Sequence, residues 1–97
     1  MYRYILDSRA QEEYETSVDW YAKRSEQATV KFINAVTAAL ELICEHPYTY
    51  KKFKTNCYEA ILKKYPFSII YTIEDFSESI IILSIFHHKR NPKKKYQ

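Results

Sequence analysis

The chain contains no glycine at all. Phosphate-cradling loops and the dinucleotide-binding fingerprint need backbone that only glycine lets approach a ligand so closely, so nucleotide-cofactor enzymes of those kinds are excluded. Turns must rely on Pro, Asn, Asp and Ser instead. Cysteine is nearly as scarce: Cys44 and Cys57 lie 13 residues apart with no second pair. That spacing supports neither a zinc site nor a disulfide framework, and both are read as plain thiols. No uninterrupted apolar run approaches the roughly 18 residues that span a bilayer, and Met1-Tyr2-Arg3-Tyr4 lacks the apolar core of a signal peptide. A cytoplasmic protein without membrane contact is therefore expected.

What the chain does have is apolar content and an uneven charge. Hydrophobic residues make up 46% of its 97 positions, which suits a single packed domain over residues 1–97 with one modest core. Residues 1–50 carry five Lys/Arg against eight Asp/Glu, a balance of −3, whereas residues 51–97 carry ten against four, a balance of +6. The carboxyl-terminal half is thus the face for a polyanion or an acidic partner; the competing reading is that exposed lysines serve solubility and block edge pairing.

Periodicity predicts the order β-α-α-β-β-β, an α+β fold with a helical hairpin packed on one face of a small, mainly antiparallel sheet. Tyr2, Tyr4 and Leu6 alternate as in a short strand. Ser8 followed by Gln11 fits a capping box, and Ala10, Tyr14, Val18 and Tyr21 form a helical stripe, with Trp20 off it, read as a flank of the core or, as the alternative, a partner-binding anchor. Ser25 caps a second helix with the stripe Phe32, Ile33, Val36, Leu40 and Ile43, stopped at Pro47. Residues 47–56 read as a connection whose interleaved tyrosines and lysines, Lys51, Lys52 and Lys54 among them, suit base stacking and phosphate contact or, more simply, cover of a sheet edge. Three strands then form a meander: one through Tyr58, Ala60 and Leu62, one from Phe67 to Ile73, and one from Ile80 to Phe86.

The last strand runs into His87-His88-Lys89-Arg90-Asn91-Pro92. Adjacent strand residues face opposite ways, so His87 and His88 do not suit one metal ion, and no metal or cofactor is expected. A metal-free phosphodiester cleavage by the ribose 2′-hydroxyl needs a cation for the charged transition state and a group that moves protons. Arg90 offers the first, and His87, His88 or Tyr96 the second. Lys89, Lys93, Lys94 and Lys95 add charge around them, although the same residues also read as a solvated tail.

Taken together, the element order, Trp20-Tyr21 late in the first helix, Phe32-Ile33 early in the second, Pro47 closing it, the strand Tyr65-Pro66-Phe67-Ser68-Ile69-Ile70-Tyr71 and the ending His87-His88-Lys89-Arg90-Asn91-Pro92 resemble the RelE/ParE toxin superfamily over nearly the whole chain. The resemblance implies the toxin of a type II toxin-antitoxin pair, of the kind once called plasmid stabilization proteins. Its partner would be a cognate antitoxin, in a hetero-oligomer or beside a homodimer. One branch cleaves mRNA at the ribosome; another poisons DNA gyrase without nuclease activity. By the same resemblance, ribonucleases of the family carry lysines where this chain has Glu59 and Ile61, and an arginine where it has Ser68. Arg90 matches their arginine after the last strand, and Tyr96 aligns with their terminal tyrosine. Lys63, Lys64 or the group Lys51, Lys52 and Lys54 would have to substitute for the missing cations, and lysine does not reproduce the bidentate grip of arginine. The Tyr-Pro-Phe strand and the His-x-x-Arg-x-Pro ending lean to the ParE side. The expected function is gyrase poisoning, with ribosome-dependent mRNA cleavage as the alternative and a non-catalytic interaction module as a further one.

Overall fold

The computed structural model describes residues 1–90. Strand β1 (Arg3–Leu6) leads into helices α1 (Ser8–Ala22) and α2 (Glu26–Glu45), followed by β2 (Lys51–Lys54), β3 (Cys57–Ile61), β4 (Phe67–Glu74) and β5 (Ser79–His87). The strands form one sheet in the order β1-β5-β4-β3-β2, in which β1 runs parallel to β5 and all other neighbours are antiparallel.

The helical hairpin starts where short polar side chains satisfy backbone donors. Ser25 Oγ accepts from the Ala28 amide at 3.1 Å, as expected of an N-cap. At α1 the cap is Asp7 rather than Ser8: Asp7 has extended backbone and its carboxylate takes the Arg9 amide at 3.1 Å, so Ser8 is already inside the helix. His46 closes α2 directly before Pro47. The apolar stripe of α2 sinks Phe32, Val36, Leu40 and Ile43 into the core against Phe67, Ile69, Tyr71, Ile80, Ile82 and Ile85 of the sheet, while Ile33 stays partly exposed. By length and composition α2 is also long and apolar enough to cross a membrane; its most apolar side is the one packed on the sheet.

Two features depart from the periodicity. Lys51–Lys54, expected within a connection, is an edge strand paired with β3 through Lys51↔Glu59 and Lys52↔Tyr58. Lysine-rich edges are a device against unwanted pairing, which hides the strand from an apolar pattern. Trp20, expected at the flank of the core, is 38% exposed on the surface.

Beyond Leu6↔Ile82, where β1 leaves the sheet, α1 takes over the edge of β5. Glu13 accepts from Ser84 Oγ at 2.6 Å and from the Ile85 amide at 3.0 Å, beside a register shift between β4 and β5. Without glycine, the turns place Asn56 (φ 65°) and Glu78 (φ 52°) in the left-handed region, a conformation that asparagine tolerates and glutamate resists. The β4–β5 turn is tied down through Asp75, which receives the hydroxyls of Tyr2 at 2.5 Å and Tyr48 at 2.6 Å.

Candidate functional site

The register brings one end of the sheet together. Phe67 at the start of β4 pairs with His87 at the end of β5, and Ile61 at the end of β3 pairs with Ser68. Residues 62–66 and the segment after His87 therefore emerge side by side. Against this end packs an aromatic block in which Phe32 lies 4.7 Å from Tyr21, 5.8 Å from Tyr65 and 4.9 Å from Phe67 between ring centroids. Lys63, Lys64, His87, His88, Lys89 and Arg90 are thereby gathered at a single rim. Lys51, Lys52 and Lys54 are not: they lie on the outermost strand, with Lys54 opposite Cys57 at the far end of β3. Asn91, Pro92, Lys93, Lys94, Lys95 and Tyr96 lie outside the described residues.

His87 and His88 diverge, as neighbours on a strand do. The His87 ring stands edge-on to Phe67 at 5.0 Å, and its Nδ1 accepts from the backbone amides of Lys89 and Arg90 at 3.0 and 3.1 Å. Burial, reinforced by the charges of Arg90, His88 and Lys89, pushes the His87 imidazole below its ordinary pKa. The unprotonated Nδ1 is the form that holds the turn and fixes where Arg90 departs. Burial also lowers the Arg90 guanidinium, as does the charge of Arg24, with Tyr21 acting the other way; a guanidinium retains its proton regardless.

His88 turns to the other face. Its amide donates to Pro66 O at 2.8 Å, and its Nε2 lies 2.7 Å from Ser68 Oγ, which donates in turn to Glu59 Oε2 at 2.6 Å. Because the Ser68 proton is committed to Glu59, Nε2 must be the donor toward Ser68. The result is an imidazole–hydroxyl–carboxylate chain. Ser68 is fully buried and Glu59 is 6% exposed, so the serine is no accessible nucleophile; the chain orients His88 and compensates a buried acid.

One member of this end, Arg24, was not singled out from the sequence. Arg24, on the link between the helices, has its guanidinium carbon 3.7 Å from the Trp20 ring centroid, and Arg90 lies 5.0 Å from the same centroid and 5.7 Å from that of Phe67. A basic residue four positions after a tryptophan on a helix was the available signal.

With this geometry in view, the comparisons with known proteins agree on the fold. The family described as the ParE toxin of type II toxin-antitoxin system, parDE, matches residues 4–92. No curated protein shows significant similarity. Among solved structures, the chromosomal ParDE TA system from P. aeruginosa superposes with a TM-score of 0.74 at 14% identity, covering 90% of this chain and 95% of that one. The isolated E. coli RelE toxin gives 0.66 at 17% identity over 94% and 88% of the two chains. The intact E. coli RelBE toxin-antitoxin complex gives 0.65 at 17% over 93% and 100%. Such identities speak for the architecture, and the family match spans almost the entire sequence: this chain belongs to the ParE toxin family of type II toxin-antitoxin systems, within the RelE/ParE superfamily.

Proposed function

We propose that the protein arrests growth by poisoning DNA gyrase and is held inactive by a cognate antitoxin. The observation that carries this reading is the buried Glu59 carboxylate with Ser68 as its donor. These are positions at which the resemblance puts a ribonuclease's lysine and arginine. A carboxylate there opposes the developing negative charge of a cleaved phosphodiester, where catalysis requires cations. Poisoning of a target enzyme is a binding event and needs no general acid or base. The exposed cations Lys63, Lys64, Lys89 and Arg90 at the rim then act as docking groups, joined by Lys93, Lys94 and Lys95, and Lys51, Lys52 and Lys54 on the edge strand offer a second strip.

Cleavage of mRNA is the second reading, and one observation favours it. The His88–Ser68–Glu59 chain is a route for moving a proton at the same end as Arg90, with His87, Lys63, Lys64 and Tyr96 as further participants. Pulse labelling in a bacterial host separates the two. Induction of the chain alone is expected to depress thymidine incorporation before methionine incorporation, and co-expression of the adjacent reading frame to restore growth. Early loss of methionine incorporation with intact DNA synthesis overturns the gyrase reading in favour of mRNA cleavage. Unimpaired growth with abundant soluble protein overturns both and leaves an interaction module.

A further inference from the structure

Two guanidiniums from distant parts of the chain share one indole. Arg24 is tethered by its Nη1, which donates to Trp20 O at 2.8 Å, and its guanidinium carbon sits 3.7 Å from the indole centroid. Arg90 arrives from the end of the sheet to 5.0 Å from the same centroid. Ion pairs such as Arg9 with Glu13 and His46 with Glu45 form elsewhere, and among the described residues neither Arg24 nor Arg90 is paired with a carboxylate. Like charges brought together without a counter-charge repel, and an anion seated between them relieves that repulsion. The planar forks of arginine suit a carboxylate or a phosphate equally well.

We propose that Arg24, Trp20 and Arg90 form an anion clamp that receives carboxylates from an acidic segment of a protein partner, which under the function proposed above is the antitoxin. The indole discriminates between the two kinds of polyanion. Single-stranded nucleic acid gains much of its affinity by stacking bases on open aromatic faces, and Arg24 at 3.7 Å already occupies a face of Trp20. The neighbouring rings of Tyr21 and Tyr65 are only partly buried in the aromatic block, which leaves apolar surface beside the clamp for apolar side chains interspersed among acids. Trp20 remains 38% exposed, so a docked segment changes its surroundings directly.

Trp20 is the protein's one tryptophan, which makes its fluorescence a specific readout. The full chain is titrated with a glutamate-rich synthetic peptide and, separately, with oligouridylate of equal charge, at fixed low salt. The peptide is expected to shift Trp20 emission saturably and to bind more tightly than the oligouridylate. Arg24→Ala and Arg90→Ala are each expected to weaken peptide binding about tenfold, in line with the loss of a charge-assisted hydrogen bond. Arg24→Lys should fall between, and Lys23→Ala should match the unmodified chain. Should Arg90→Ala not fold, Arg24→Ala carries the test, because the Arg24 side chain bonds to Trp20 O near the end of α1 while its backbone bond to Tyr21 O is kept in the variant. Tighter binding of oligouridylate, unchanged affinity in the arginine variants, no response to either polymer, or an equal shift on concentrating the chain alone would each overturn the proposal. Peptide capture by a chain that leaves growth unimpaired would sustain the clamp while removing the toxin reading on which the antitoxin assignment rests.

Discussion

Ser68 and Glu59 meet on one face of the sheet across the β3–β4 pair, the hydroxyl donating to the carboxylate over 2.6 Å with both side chains shut away from solvent. A buried acid that loses a donor pays for its desolvation, so Ser68→Ala is expected to lower stability by about 1–3 kcal/mol. Adding Glu59→Leu to that variant should recover part of the loss, since replacing both partners by apolar groups removes a buried acid that has lost this donor. Denaturant midpoints measure both. An unchanged midpoint in Ser68→Ala would show that the bond contributes nothing.

His87 makes the turn that carries Arg90 sensitive to acid. Its folded pKa is lowered, chiefly by burial, so the unfolded chain binds the proton more readily. The stabilisation is therefore complete above the ordinary imidazole value of 6.5 and is lost as pH falls through the lower folded value. Protonation of Nδ1 also breaks the bonds from the Lys89 and Arg90 amides. Protection factors of the Lys89 and Arg90 amides, taken relative to the intrinsic exchange rate at each pH, should fall on acidification, and His87→Ala should show low protection at every pH. Protection of those amides that persists unchanged to well below the imidazole range would contradict this.

The Asp75 cluster titrates at the opposite extremes. Hydrogen bonds from Tyr2 and Tyr48 lower the Asp75 carboxyl, and the bond to Asp75 raises Tyr48 far above an ordinary phenol. Stability linked to Asp75 is present above the usual carboxyl value and lost as pH falls through the depressed one; that linked to Tyr48 is present below the usual phenol value and lost as pH rises toward the raised one. Tyr71, raised mainly by burial, behaves like Tyr48 at high pH. Spectrophotometric titration of tyrosinate should show a late-ionising fraction, and Tyr48→Phe should reduce it. A fraction equally large in that variant would contradict the assignment.

The helical hairpin and the three-strand meander were legible because their apolar residues recur with the helical period or run unbroken through buried strands. Phe32, Val36 and Leu40 on α2, and the run from Phe67 to Tyr71 on β4, went where that pattern pointed. Strand β2 was not legible, since Lys51, Lys52 and Lys54 give it no apolar face. Nor was the parallel pairing of Arg3 with Ser79, which depends on a tertiary crossover. At the site, the contiguous segment from His87 to Arg90 could be read directly. The Glu59–Ser68–His88 chain and the meeting of Arg24 with Arg90 could not, because each joins residues brought together only by folding.

The aromatic block should be the most sensitive part of the core. Phe32 is fully buried and contacts Tyr14, Tyr21, Tyr65 and Phe67, so Phe32→Ala is expected to cost about 3–5 kcal/mol. Phe76, on the exposed β4–β5 turn at 104% relative accessibility, should tolerate alanine within about 0.5 kcal/mol. Equal losses of melting temperature in the two variants would contradict the packing described here.

The most direct measurement of the functional account is purified gyrase acting on plasmid DNA in the presence of excess chain. The account predicts trapped cleavage complexes or lost supercoiling, with Arg90→Ala weakening the effect and the antitoxin abolishing it. Full gyrase activity at toxin excess, together with message cut on translating ribosomes, would contradict it.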